Sequence, residues 1–364
     1  MSSANGAERE LHGAVIGYGK GGEVFHAPLI DATPGLRLSA VVTGNPERQA
    51  AVRARYPHAA VLDSAEELWQ RGGEFEIAVI TTPNATHAPL ARAALQAGMA
   101  VVVDKPFALT AADARALTEE AERLGHVLTV YQNRRWDSDF LTLWKLIEDG
   151  ELGRVHRFES RFERWRPTAK ATWRERGGAE DGAGILYDLG PHLIDQAINL
   201  FGPVDSVYAE LDARRAGVAA DDDAFLALTH VNGVRSHLWM SALTAQTGPR
   251  FRVLGDRAAF TIDGLDGQED RLGAGQRPDD TGADWGVEPE SGWGRIGADG
   301  DLRPVPSERG AYPAFYAALR DAVAEGEPIP VEPHEVVHGL EVIEAARRSA
   351  ETGERVSLRT PQEA

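Results

Sequence analysis

No cysteine occurs among the 364 residues of this chain. Disulfides and thiolate metal sites are therefore excluded, and a reducing cytoplasm suits the protein. No apolar run approaches the roughly 20 residues that a membrane helix needs. Met1 to Glu10 are small and polar with no apolar segment, so they read as a frayed tail and not as a signal peptide. Positive charge is also short: 38 Lys and Arg against 56 Asp and Glu leave a formal net charge of −18. A nucleic-acid partner would want a basic face, so that class is set aside. No internal repeat is present either.

What the chain has is length and alternation. A chain of 364 residues makes one large domain or two ordinary ones. A globular chain of this size buries roughly three quarters of its unfolded surface and needs no covalent staples. Short apolar runs at Leu11–Ile16, Leu36–Val42, Ile77–Thr81, Met99–Val103 and Val127–Tyr131 alternate with helical patterns. Asn45-Pro46 opens one helix, Thr86 or Asn84 caps a second that runs through Gln96, and Thr110 opens a third that ends at Gly125. Near-continuous apolar strands between helices predict an α/β, doubly wound parallel sheet of Rossmann type.

After about residue 132 the pattern changes. A helix at Phe140–Asp149 leads to strands at Val155–Phe162, Val204–Leu211, Ala224–Val231, Ser236–Leu243 and Phe251–Leu254. One clear helix, Leu189–Phe201, interrupts them. This predicts an α+β domain on a large, mostly antiparallel open sheet. Asp263–Gly300 is rich in Gly, Asp and Pro without a period and reads as a long loop. Helices at 312–324 and 335–351 close the chain. The division expected is a dinucleotide-binding domain over 1–131 and a substrate-binding and oligomerisation domain over 132–364. An open sheet face must be covered, which predicts a homodimer or homotetramer.

Gly17-x-Gly19-x-x-Gly22 follows the first strand and opens a helix. Gly17 permits a tight turn, Gly19 lets the backbone approach a pyrophosphate, and Gly22 allows close helix–strand packing. An NAD enzyme usually offers a carboxylate to the ribose about 20 residues further on. Here the second strand ends Val41-Val42-Thr43-Gly44-Asn45, with no carboxylate until Glu47. Thr43 and Asn45 would tolerate a 2′-phosphate and Arg48 could pair with it, so NADP is preferred over NAD. Arg48 can equally be a solvated helix charge.

Two further constellations carry chemistry. Lys105 stands at the carboxyl end of the Met99–Val103 strand, between Asp104 and Pro106. In an open α/β sheet that end faces the ligand crevice. Asp188 and His192 are four residues apart at a helix start, on one face of its first turn. Together they read as a carboxylate-tuned acid–base group, or as a plain N-cap and a buried histidine. Tyr131, Arg134, Arg135, Arg166, Trp173 and Tyr187 suit a hydroxyl-rich ligand, and each also has an ordinary structural use.

The glycine loop, Thr82-Pro83-Asn84-x-x-His87, Asp104-Lys105-Pro106 and Gly184-x-x-x-Asp188-x-Gly190-x-His192-x-x-Asp195 occur in this order and spacing. Together they resemble the glucose–fructose oxidoreductase/inositol dehydrogenase (Gfo/Idh/MocA) family, from about Leu11 to about Leu358. Tyr131–Asp137, Arg164-x-Arg166-Pro167, Trp173-Arg174-Glu175 and Asp266–Asp270 are similar to the subgroup that contains NADP-dependent scyllo-inositol dehydrogenases. The resemblance implies an NAD(P)-dependent dehydrogenase that moves hydride between a secondary alcohol of a cyclic polyol or sugar and nicotinamide. It implies Lys105, His192 and Asp188 as catalytic residues. For the cofactor it implies Gly17, Tyr18, Gly19, Gly22, Val24, Phe25, Thr43, Asn45, Arg48, Thr82, Pro83, Asn84, His87, Asp104, Lys105, Gln132, Trp173 and Arg174. For the substrate it implies Tyr131, Arg135, Arg166, Tyr187, Asp188 and His192. One position departs: the family usually has Glu where this chain has Asp104, one methylene shorter. A cofactor-binding regulator without turnover, and an NADPH reductase of a non-sugar carbonyl, are the alternatives.

Two motifs point elsewhere. His334-Glu335-Val336-Val337-His338 matches a zinc-protease pattern, but no third ligand follows, so no metal is expected. Asp221-Asp222-Asp223 lacks the Gly and Glu spacing of a calcium loop and reads as a solvated turn.

Overall fold

The computed structural model describes residues 10–170 and 173–358, with positions 173, 174, 179, 281 and 283 described by their backbone alone. Six parallel strands form the first sheet: β1 (Leu11–Ile16), β2 (Leu36–Val42), β3 (Ala60–Leu62), β4 (Ile77–Ile80), β5 (Ala100–Asp104) and β6 (Leu128–Tyr131). Their spatial order is β3-β2-β1-β4-β5-β6, the doubly wound arrangement expected from the alternation. Every residue of β4, and Ala100–Val103 of β5, is buried because helices cover both faces. Each fully buried Val or Ile there contributes about 1.5–3 kcal/mol. The order reverses between β1 and β4, and the carboxyl ends of β1, β4, β5 and β6 open on one edge at that point.

The connecting helices are α1 (Ala27–Asp31), α2 (Pro46–Arg55), α3 (Ala65–Gln70), α4 (His87–Gln96) and α5 (Ala111–Leu124). The local signals act as read for two of them. Asn45 Oδ1 accepts from the Arg48 amide at 3.0 Å, and Thr110 Oγ1 accepts from the Asp113 amide at 3.0 Å. Neither expected cap of α4 acts as one. The Thr86 hydroxyl donates to the Pro83 carbonyl at 2.7 Å, and the Asn84 amide donates to the Gly182 carbonyl at 3.0 Å. β3 and α3 carry too few apolar residues to show a period, and the sequence reading did not assign them.

After α6 (Ser138–Glu148) comes a nine-stranded sheet, in the order β14-β13-β12-β11-β7-β10-β9-β8-β15. The strands are β7 (Val155–Glu163), β8 (Val204–Asp212), β9 (Asp223–His230), β10 (Arg235–Ser241), β11 (Phe251–Gly255), β12 (Ala259–Ile262), β13 (Gly294–Ala298), β14 (Asp301–Val305) and β15 (Val356–Ser357). β7 and β10 run parallel and the other neighbours antiparallel. Between the strands lie α7 (Trp173–Arg176), α8 (Ile185–Phe201), α9 (Gln268–Gly273) and α10 (Pro278–Thr281). The loop expected over Asp263–Gly300 therefore holds α9, α10 and β13. Glycine hid β13: a Cβ on Gly294 would lie 2.4 Å from the Phe260 ring, so packing demands glycine where the alternation calls for a side chain.

The long helix also begins earlier than its apolar period suggests. α8 starts at Ile185, with Gly184 before it at φ +99, so Asp188 lies inside the first turn and is not the cap. The cap comes from Asp221. Its Oδ2 accepts from the Leu186 amide at 2.7 Å, and its carbonyl accepts from the Ile185 amide at 2.7 Å. Asp222 is buried and accepts from Arg215 Nε at 2.8 Å. The acidic run is thus a structural knot and not a solvated turn.

α11 (Pro313–Glu325) and α12 (Pro333–Thr352) close the chain. α12 joins the two halves: Glu344 accepts from the Ala111 amide at 2.8 Å, and the Val204 amide donates to His338 Nε2 at 2.9 Å. His334 instead meets Glu122 at 2.7 Å, so the two histidines of the zinc-like motif face different partners. Among the described residues no helix is long and apolar enough to cross a membrane.

Candidate active site

A cleft of about 610 Å³ opens between the carboxyl edge of the first sheet and the helix-bearing face of the second. The glycine loop forms one wall. Gly17 has φ +101, and a Cβ there would lie 2.7 Å from the Thr81 carbonyl, so only glycine makes this turn. A Cβ on Gly22 would lie 2.2 Å from the Gly17 carbonyl. Gly21, which the spacing did not single out, is equally tight: its Cβ would lie 2.2 Å from Thr81 Oγ1 and 2.8 Å from Asp104 Oδ2. At Gly19 nothing lies within 4 Å, so this backbone is open to a ligand. Three tight glycines around one open one make a cradle that fits a dinucleotide phosphate.

Lys105 projects from the end of β5. Its Nζ donates to the Asp188 carbonyl at 2.5 Å and lies 3.4 Å from Asp188 Oδ1. Asp104 accepts from the Lys105 amide at 2.8 Å and lies 3.6 Å from the buried ring of His26. Burial alone would raise the Asp104 carboxyl, but His26, Lys105 and His87 outweigh it and hold the pKa at about 2. His192 lies one turn beyond Asp188 and lines the same cleft. It is buried, and its Nδ1 has no hydrogen-bond partner. Burial, followed by the charges of Lys105, Arg134, Arg250 and Arg164, drives its pKa well below the ordinary histidine value. The imidazole is therefore neutral and ready to accept a proton.

The chain neighbours Arg134 and Arg135 go opposite ways. Arg134 lines the cleft and binds Glu269, Tyr312 Oη at 2.9 Å and Asp137 at 3.4 Å. Arg135, expected in the cleft, forks onto Asp195 at 2.7 and 2.9 Å and reaches Glu335 at 2.9 Å. It is a structural brace. Tyr187 is likewise diverted: its hydroxyl donates to the Leu109 carbonyl at 3.1 Å, and it does not line the cleft. Tyr131, Arg166, Asp188 and Phe25 do line it.

Several expected cofactor contacts also turn inward. His87 is buried between the Pro106 and Thr82 carbonyls, 2.8 Å from each, and braces the two loops. Asn84 is spent on Gly182, and Gln132 is buried against Pro106 and Pro191. Tyr18 is 1% exposed, so it offers a dinucleotide its backbone and not its ring. Thr82 bonds Thr86 at 2.6 Å, Pro83 is exposed, and Val24 is half-buried. At the far end of the edge Thr43 is buried, while Asn45 and Arg48 are exposed. The side chains of Trp173 and Arg174 lie outside the described residues.

The sequence reading named Glu269 only within the Asp266–Asp270 motif and gave it no site role. It sits on α9, inside the supposed loop, and accepts from Lys20 of the glycine loop at 2.7 Å while also binding Arg134. It also gave no site role to Lys170, Arg215 or Asp221, and named Arg164 only within a motif. All four line the cleft.

Comparison with known proteins agrees with this architecture. Residues 11–132 match the family described as "Oxidoreductase family, NAD-binding Rossmann fold", and residues 144–358 match its "C-terminal alpha/beta domain". The uncharacterized oxidoreductase YdgJ of Escherichia coli (strain K12) is 43% identical over 346 residues, covering 92% of this chain and 95% of that protein. The scyllo-inositol 2-dehydrogenase (NADP(+)) IolW of Bacillus subtilis (strain 168) is 34% identical over 348 residues, covering 94% and 95%. The solved structure of yvaA from Bacillus subtilis superposes with a TM-score of 0.90 at 33% identity, covering 97% of this chain and 99% of that one. With both halves of the fold matched in order, the chain belongs to the Gfo/Idh/MocA family of NAD(P)-binding oxidoreductases.

Proposed function

We propose that this cleft interconverts a secondary alcohol of a cyclic polyol or sugar with its ketone, with NADP as the preferred cofactor. The observation that carries this reading is the meeting of Lys105, Asp188 and His192 in one cleft beside the glycine cradle. A nicotinamide bound there supplies the hydride acceptor or donor. The Lys105 ammonium has three N–H bonds, and Asp188 takes two of them with its carbonyl and carboxylate. The third is left for the reacting oxygen, whose developing negative charge it stabilises without reorganisation. The neutral imidazole of His192 takes the hydroxyl proton and returns it in the reverse direction. Asp188 fixes the ammonium and precedes the imidazole by one turn of α8.

The cofactor preference rests on the end of β2. Thr43 and Asn45 offer no carboxylate to repel a 2′-phosphate, and Arg48 stands exposed in the first turn of α2. Glu47 beside it and Asp63, drawn in by Gln49, are the opposing charges nearby. Fluorescence titration with NADPH and NADH tests this part. We expect tighter NADPH binding, and about a tenfold loss for NADPH alone in Arg48→Ala. Turnover of inositol isomers, aldoses and their keto forms, followed by nicotinamide absorbance, tests the reaction. Cofactor binding with no turnover across that panel would overturn a neutral polyol or sugar as the substrate.

A further inference from the structure

The carboxylates and the cations of the cleft are not matched evenly. Each carboxylate has a protein partner. Glu175 binds Arg215 at 3.0 Å, Asp222 binds Arg215 at 2.8 Å, and Asp221 caps α8. Glu269 binds Lys20 and Arg134, Asp188 binds Lys105, and Asp104 binds the Lys105 amide. Arg164, Arg166 and Lys170 line the same cleft, and among the described residues their side chains have no hydrogen bond or ion pair.

Backbone geometry shows that two of these cations are displayed and not merely loose. β7 continues past Glu163 as an extended segment held on the second sheet. The Arg164 amide donates to the Ser241 carbonyl at 2.8 Å, the Arg166 amide donates to the Ala242 carbonyl at 2.7 Å, and Trp165 bridges Leu243. Alternate residues of an extended strand share a face. Arg164 and Arg166 therefore point together into the cleft, while Trp165 is 56% exposed on the other side. Arg215 donates to the Arg166 carbonyl at 3.2 Å and pins the segment again. Arg164 lies deep enough for burial to push its pKa down, with Asp188 opposing and Arg166 adding to the push. Its charge also reaches His192.

We infer that Arg164 and Arg166, with Lys170 at the rim, bind an anionic group on the substrate, so that the preferred substrate is a polyol or sugar bearing a carboxylate or a phosphate. Two guanidinium forks on one rigid strand match the paired oxygens of either anion. The anion anchors one end of the ring while the carbinol at the other end meets Lys105 and His192. This inference rests on the polyol oxidoreductase reading and narrows it.

A matched series tests it: D-glucose, D-glucuronate and D-glucose 6-phosphate share one ring and differ in charge. We expect kcat/KM for one anionic member to exceed that for glucose by about tenfold or more, the scale of one charge-assisted pair. Arg164→Gln and Arg166→Gln should each collapse that ratio, chiefly through KM, while NADPH affinity stays as in the parent. Glucose used as well as both anions, with a ratio that neither variant moves, overturns the inference and leaves the polyol reading standing. An equal loss of NADPH affinity in the variants also overturns it, since the cations then serve the cofactor. If no member of the series turns over, calorimetry of glucuronate and of inorganic phosphate into the enzyme–NADPH complex decides. Binding that Arg164→Gln weakens about tenfold upholds the anion site, and no binding removes it. Failure of every neutral and anionic sugar and polyol to react, by contrast, sinks the broader reading.

Discussion

At the floor of the cleft Lys105 gives two of its N–H bonds to Asp188, and Glu269 is held between Lys20 and Arg134. Toward the rim Arg164 and Arg166 stand on a pinned segment, with Lys170 beyond it, and none of the three has an ion pair among the described residues. The same residue types thus occur in two states a few side chains apart. A charge already satisfied by protein is held in one orientation, which suits a group that must meet a transition state without moving. A charge left without a partner keeps its pairing energy for a ligand, which suits recognition. The difference assigns chemistry to the floor and selection to the rim.

The largest expected effect separates the two directly. Lys105→Ala and His192→Ala should each lower kcat by at least about 100-fold, the usual scale for an electrostatic or acid–base group. A near-normal kcat in either variant would remove the role proposed for that residue. Rim variants should act on KM instead. The pH profile sharpens the contrast. His192 must be unprotonated to accept a proton, and burial and four neighbouring cations hold its pKa well below the histidine norm. Alcohol oxidation should therefore persist as pH falls through about 6.5, where an ordinary histidine would charge. An acid limb centred near that value and lost in His192→Ala would show that these four cations do not act on the imidazole as placed.

The next effect tests what happens when a floor charge is made into a rim charge. Burial alone would raise the Glu269 carboxyl, but Arg134 and Lys20 lower its pKa to about 2 from 4.5. A depressed carboxylate stabilises the fold above its unfolded value, and that contribution is lost as pH falls toward the folded one. Stability of the parent should therefore fall between pH 4.5 and about 2. In Glu269→Gln this part of the decline should flatten, and neutral-pH stability should drop by about 1–3 kcal/mol as Arg134 loses a charged partner. Thermal melts across that range read both effects. An unchanged acid limb would mean that neither Arg134 nor Lys20 pairs with Glu269 in solution.

How much of this was legible follows from the kind of signal each residue leaves. Strands β1, β4, β5 and β6, and the end of β2, are apolar because they are buried on both faces, so composition alone finds them. Gly17, Gly22, Lys105 and Asp188 sit at element ends where backbone geometry ties residue type to position, and His192 follows Asp188 by one helical turn. Arg134 and Arg135 show the limit: two identical neighbours, one turned to Glu269 and one to Asp195, separated only by which side of the chain faces the cleft. The role of Glu269 was hidden, though a motif contains it, because α9 is six residues long and lies in a Gly- and Asp-rich stretch with no period. His87 and Asn84 carry a family motif, yet their partners are the backbone carbonyls of Pro106, Thr82 and Gly182. Such bonds are fixed by tertiary structure, and no spacing reports them.

Asp221 lies between floor and rim, and the smallest predicted effect concerns it. Its carboxylate and carbonyl receive the first amides of α8, the helix that carries Asp188 and His192, and Arg347 lies 3.7 Å from its Oδ1. Burial raises its pKa, opposed first by the bond from the Leu186 amide and then by Arg347, so the backbone bond is the larger of its two supports. Asp221→Ala should cost about 1 kcal/mol, the usual loss of a side-chain cap, and lower Tm by roughly 2–4 °C. It should also lower kcat more than KM, because the first turn of α8 loses its anchor while the rim keeps its cations. Asp221→Asn retains an amide oxygen for Leu186 and should restore most of both losses. If Asn behaves like Ala, the ion pair with Arg347 is what holds the helix, and the charge of Asp221 joins the floor after all.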